Sequence, residues 1–125
     1  MTERPRLTPT ADYPITVTPT GRRVTVRIDG ETIAESDRAL TLREANHAAV
    51  QYIPLDDVRQ ELLTRTATTS YCPFKGDAAY YTVTTAAGRT VADAIWTYEQ
   101  PFPAVAPIAG HVAFYPDKAE VSVLA

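Results

Sequence analysis

The chain has 125 residues, 45% hydrophobic and 22% charged, with a formal net charge of −3. That length suits one domain folding without metal or disulfide, and the acidic balance argues against a nucleic-acid-binding face. The single cysteine excludes an internal disulfide and any zinc site built from two or more cysteines, and no apolar run nears the roughly 20 residues that span a bilayer.

Residues 1–13 are polar, carry Pro5 and Pro9, and read as a tail, either loose or draped over the rest. Met1 to Thr20 has no apolar stretch of the secretory type, so a cytoplasmic protein is the simplest reading. Residues 14–125 read as a single β-domain. Ile15-Thr16-Val17, between Pro14 and Pro19, suits an edge strand. From Arg22 to Ile28 the chain alternates, with Val24, Val26 and Ile28 on one side. Asp29-Gly30 follows, a strong hairpin signal, and Glu31 to Ser36 is the return strand. A turn at Asp37-Arg38 and a third strand, Ala39 to Glu44, complete an expected β-meander with Leu40 and Leu42 inward. Glu44 is either an inward carboxylate or an ordinary strand-end charge. Ala49 to Ile53 is a further strand, carrying Tyr52.

Leu55, Val58 and Leu62 share one face at helical spacing, so Pro54 to Leu63 is expected to be the one short helix, with Asp56 and Asp57 near its positive end. Ala87-Gly88 marks a hairpin between Tyr80–Thr85 and Arg89–Tyr98, where Ala94, Trp96 and Tyr98 share a face. The proline-rich run Glu99 to Pro107 is a long loop of the kind that often lines a site. Gly110 opens an expected last hairpin, His111–Tyr115 with Glu120–Leu124, turning at Pro116-Asp117-Lys118. Many strands joined by hairpins, with no internal repeat, indicate a mainly β fold of two antiparallel sheets packed at an angle.

The chemistry concentrates between Thr69 and Tyr81. This stretch holds the lone Cys72 with Pro73, Lys75, Gly76 and Asp77, besides Tyr71, Phe74, Tyr80 and Tyr81. Pro73 biases Cys72 away from the helical region and Gly76 tolerates positive φ, so a tight turn leads into a strand. Thiol and amine could then meet in one pocket, or be a small buried hydrophobe and a solvated ammonium.

The run Cys72-Pro73-Phe74-Lys75-Gly76 with Tyr80 resembles the Cys-Pro-aromatic-Lys-Gly hallmark of a domain-of-unknown-function family found mostly in bacteria and fungi. That family is sometimes labelled nucleotidyltransferase-like. The resemblance extends through Arg23-Val24, Ala34-Glu35-Ser36, Leu42-Arg43-Glu44, Tyr52-Ile53-Pro54 with Asp57-Val58, Ala94-Ile95-Trp96-Thr97-Tyr98 with Pro101, and Ile108 to Tyr115, covering roughly residues 14–116. His111 stands where the family usually has tyrosine. The resemblance implies a β-tent, two antiparallel sheets meeting at an angle. Related tents hold a four-cysteine zinc, which this chain cannot build. The chain carries no glycine-rich phosphate loop or paired-aspartate strand motif of the kind nucleotidyl transfer uses.

Three functions remain. The first is a small-molecule enzyme with Cys72, Lys75 and Glu44 as catalytic groups, since a cation beside a thiol favours the thiolate. His47 and His111 are the only imidazoles available to pair with Cys72. The second is a non-catalytic pocket in which Trp96, Tyr98, Tyr80, Tyr52 and His111 bind a small ligand. The third is a structural or partner-binding module. No cofactor, metal, nucleic acid or membrane partner is expected; exposed hairpin edges leave a homodimer open.

Overall fold

A computed structural model describes residues 4–124; Met1, Thr2 and Glu3 of the expected tail, and Ala125, lie outside the described residues. Ten strands form among the described residues: β1 (Ile15–Pro19), β2 (Val24–Ile28), β3 (Glu31–Ser36), β4 (Leu40–Glu44), β5 (Val50–Pro54), β6 (Leu63–Cys72), β7 (Gly76–Thr84), β8 (Thr90–Thr97), β9 (His111–Phe114) and β10 (Glu120–Val123). They make two sheets, one of seven strands in the order β1-β4-β5-β9-β8-β7-β6 and one of three in the order β10-β2-β3; every pairing is antiparallel. The fold is mainly β, as the alternation implies.

The period of two sorts the side chains of the large sheet into two cores. Ile53, Val83, Ile95, Val112 and Phe114 pack with Val24, Val26, Ile28 and Ile33 of the small sheet. Their chain neighbours Tyr52, Trp96 and Ala113, with Leu42, Tyr80 and Tyr98, gather on the opposite face with Val105 and Ile108. The second face is therefore turned away from the three-stranded sheet. The β2–β3 hairpin turns through Asp29 (φ 52°) and Gly30 (φ 81°), the paired positive φ that an Asp-Gly turn supplies.

Three expectations are corrected. The first third is not a meander: β4 leaves β3 and pairs with β1, from Ile15 opposite Glu44 to Pro19 opposite Leu40. Asp37-Arg38 is a corner rather than a hairpin turn. Ser36 Oγ accepts from Arg38 N, while Asp57 accepts from Ser36 Oγ and from Arg38. The helix expected over Pro54 to Leu63 is also absent. Pro54 belongs to β5, and single 3₁₀ turns at Leu55–Asp57 and Gln60–Leu62 flank an extended Val58 (φ −100°, ψ 145°). Val58 bridges to Ala34, and Arg59 N donates to Ile33 O. The segment thus covers the free edge of β3, which wins over a helix too short to stand alone. Leu55, Val58 and Leu62 still pack onto the core, so their spacing reports the contact and not the conformation.

The last hairpin is also not formed. β9 lies between β5 and β8, with both edges occupied, so β10 has no partner there. The Pro116–Lys118 turn carries the chain to the small sheet, where Val121 faces Val26 and Val123 faces Val24. One strand went unread: β6, Leu63–Cys72, is threonine-rich, largely exposed and at the sheet edge. It lacks the alternation of apolar residues that marks a half-buried strand.

Candidate functional site

The turn from β6 to β7 builds the site. Cys72 pairs with Gly76, Lys75 N donates to Cys72 O, and Gly76 takes φ 108°. Two other segments clamp the turn. Phe102 N donates to Lys75 O, and Leu7 N donates to Pro73 O, both at 2.9 Å. The described part of the tail drapes over it further. The Arg4 guanidinium sits 4.1 Å over the Tyr71 ring and pairs with Asp77, the Arg6 guanidinium sits 4.1 Å over Phe102, and Tyr13 stacks on Phe74 at 4.7 Å.

This clamping turns Lys75 inward. Its side chain is 9% exposed and its Nζ donates to Glu44 Oε1. Tyr13 donates to the other carboxylate oxygen at 2.7 Å. Burial works against the charge on Glu44, but the hydrogen bonds from Lys75 and Tyr13 and the positive charge of Lys75 outweigh it, and the carboxyl is held below its ordinary value. Glu44 is therefore an inward, paired carboxylate rather than a solvated strand-end charge.

The pair forms part of the wall of a cavity of about 410 Å³ on the face of the large sheet away from the small one. The hollow is not between the two sheets, where the alternation packs Ile53, Ile95 and Val112 tightly against β2 and β3. Glu44, Lys75, Tyr52, Tyr80, Trp96 and Tyr98 all line it. Trp96 Nε1 donates to Tyr52 OH at 3.1 Å with the rings edge to face, and Tyr115 lies against the other side of Trp96 at 4.5 Å. Burial pushes the Tyr52 and Tyr98 phenols well above their ordinary value, and burial together with the Tyr80 hydroxyl pushes Tyr115 up to about 12. All three are neutral hydroxyls at physiological pH.

Two expected site residues lie elsewhere. Cys72 is half-buried, packs against the second core cluster and is not among the residues lining the cavity; its Sγ lies 3.8 Å from Lys75 Nζ. His111 does not line the cavity either: it sits opposite Pro54 at the far end of β9, with Nδ1 2.9 Å from Ala109 O. Neither imidazole is hydrogen-bonded to the thiol.

Five lining residues lie outside the expected set: Leu42, Ala48 and Val50, together with His47, weighed only as a partner for Cys72, and Tyr115. His47 arrives through a turn in which Ala45 takes φ 47° and His47 N donates to Glu44 O. Nothing local in the sequence marks that turn, because alanine carries no signal for positive φ. Tyr115 was legible: it shares the face of Ala113, and Ala113 pairs with Trp96.

The hydrogen-bond bookkeeping of the cavity is uneven. Tyr98 is 8% exposed, and its hydroxyl makes no hydrogen bond among the described residues. No fully buried side-chain nitrogen or oxygen among them lacks a partner, so this hydroxyl keeps some access to solvent, and Tyr98 is one of the residues lining the cavity. Among the described residues no group of His, Cys, Asp and Glu is arranged to hold a metal ion, and no helix is long and apolar enough to cross a membrane.

A family model described as Domain of unknown function (DUF427) matches residues 16–124, from β1 through β10. No curated protein matches the chain. With nearly its whole length covered, the chain belongs to that domain-of-unknown-function family.

Proposed function

We propose that this member of the family binds a small molecule in the cavity walled by Trp96, Tyr52, Tyr80 and Tyr98, with Lys75 as its polar anchor. The observation that carries this reading is the free hydrogen-bonding capacity facing an apolar, aromatic hollow. Tyr98 OH is unpartnered among the described residues, and Lys75, which gives one N–H to Glu44 and one to Cys72 Sγ, keeps a third. A hydroxyl that keeps solvent access without a protein partner is free to bond a ligand that displaces the water. A volume of about 410 Å³ falls in the range of small-ligand sites. The test is a thermal-shift screen of the full chain against a panel of small metabolites. A binder raises Tm by mass action. A broad panel without a single stabilising compound would remove the reading.

A catalytic role has one observation behind it, the 3.8 Å approach of Cys72 Sγ to Lys75 Nζ. Cys72 is not among the residues lining the cavity, so binding is the better-supported reading. Once a ligand is in hand, Cys72→Ser separates the two. Unchanged affinity with lost turnover marks an enzyme, and no turnover in the parent protein marks a binding domain.

A further inference from the structure

In the seven-stranded sheet β5 and β9 are paired at one end only. β5 and β9 share only two pairs, Ile53 with Val112 and Pro54 with His111. Continuing that register would set Tyr52, Gln51 and Val50 opposite Ala113, Phe114 and Tyr115, but those residues do not pair. A second hollow of about 310 Å³ opens at the seam, against Gln51, Phe114, Pro116, Val121 and Val123. It shares Ala48, Val50 and Trp96 with the first. The two hollows are thus neighbours across one tryptophan, one with a polar end and one lined mostly by apolar side chains. Val123 is 42% exposed at this place, an apolar side chain left half in water.

The polar end selects by charge and by hydrogen-bond sense. Both Glu44 oxygens already accept bonds, from Lys75 and from Tyr13. What remains is one Lys75 N–H, beyond those given to Glu44 and to Cys72 Sγ, and the Tyr98 hydroxyl. The charge of Lys75 is balanced by Glu44. A ligand carboxylate would lose its hydration there without a net attractive field, and a ligand ammonium would meet the charge of Lys75 beside a carboxylate that Lys75 and Tyr13 already bond.

We infer that the ligand is an elongated neutral molecule, with a carbonyl head at Lys75 and Tyr98 and an aliphatic tail laid past Trp96 into the β5–β9 seam. This rests on the small-molecule reading above and names the class of ligand. The tail supplies hydrophobic burial, and the carbonyl oxygen takes the unused donors without bringing charge into the pair.

The experiment measures the affinities of hexanamide, octanamide, octanoate and octylamine for the full chain by Trp96 fluorescence and calorimetry. Octanamide is expected to bind about fifteenfold more tightly than hexanamide, from two buried methylenes, and at least tenfold more tightly than octanoate or octylamine. Val123→Asp, at an exposed position, should bring octanamide down to the affinity of hexanamide. Tyr98→Phe should weaken every amide while leaving the chain-length ratio in place. Octanoate or octylamine binding as well as octanamide would overturn the inference, as would equal affinities of the two amides or no binding by any of the four. Those results leave the pocket reading standing if other compounds still stabilise the protein; a blank metabolite screen sinks both.

Discussion

Lys75 and Glu44 meet in a buried ion pair although the strands that present them stand four places apart in the sheet, β4-β5-β9-β8-β7. In a flat sheet that separation would be roughly 19 Å, several times what a lysine side chain spans. The contact therefore reports a sheet that curls over its outer face, and the cavity is the space under the curl. Tyr13 reaches in from the described tail to hold the same carboxylate.

Breaking this pair should be costly from either side. Lys75→Met and Glu44→Gln each strand a partner in a site where the lysine side chain is 9% exposed, at about 3 kcal/mol or more. The double variant, which leaves no lone charge, should lose less than the sum of the two. Urea titrations of all four proteins measure the coupling, and strict additivity would mean that the two charges do not stabilise each other.

The pH dependence has a definite sign. The folded-state pKa of Glu44 lies below its ordinary value of 4.5. Its stabilising contribution is then complete above the unfolded value and is lost as pH falls through the lower, folded one. Unfolding free energy should drop on acidification below about pH 4.5, more steeply in the parent than in Glu44→Gln. Parallel curves for the two proteins would show that Glu44 is not held in its charged form by the fold.

Gly76→Ala should destabilise through the backbone. A methyl group there meets Gln100 O at 3.5 Å and the Phe102 ring at 3.6 Å, ordinary contact distances, but φ is 108°. An L-residue in that conformation costs about 2 kcal/mol. The expected result is a Tm lower by several degrees, together with a weakened Lys75 contact seen as slower binding or lower affinity. An unchanged Tm would show that the turn relaxes freely.

Much of the strand content was legible because it rests on short-range signals. The Val24-Val26-Ile28 alternation and the Asp29-Gly30 turn place the first hairpin, and Ala87-Gly88 places the one between β7 and β8. Strand partnership was not legible, since β4 chooses β1 over β3 and β10 chooses β2 over β9 by which sheet edges are free. The 3₁₀ pair at Leu55 to Leu62 shows the same limit: helical spacing of apolar residues also fits a strap that touches the core three times. In the site, Lys75 and Trp96 stood out by residue type and context. Their meeting with Glu44 depends on the curl of the sheet, which no local pattern encodes. His47 depends on a single positive φ at Ala45.

The chain holds one tryptophan, and Trp96 stands in the wall of the cavity beside Tyr52 and Tyr115. Its emission during titration with any compound that raises the melting temperature is the most direct measurement of the central claim. The account predicts a saturable change in Trp96 fluorescence at the concentration that stabilises the fold, weakened in Tyr98→Phe. Stabilising compounds that leave Trp96 emission unaltered, with Tyr98→Phe binding them as well as the parent does, would contradict it.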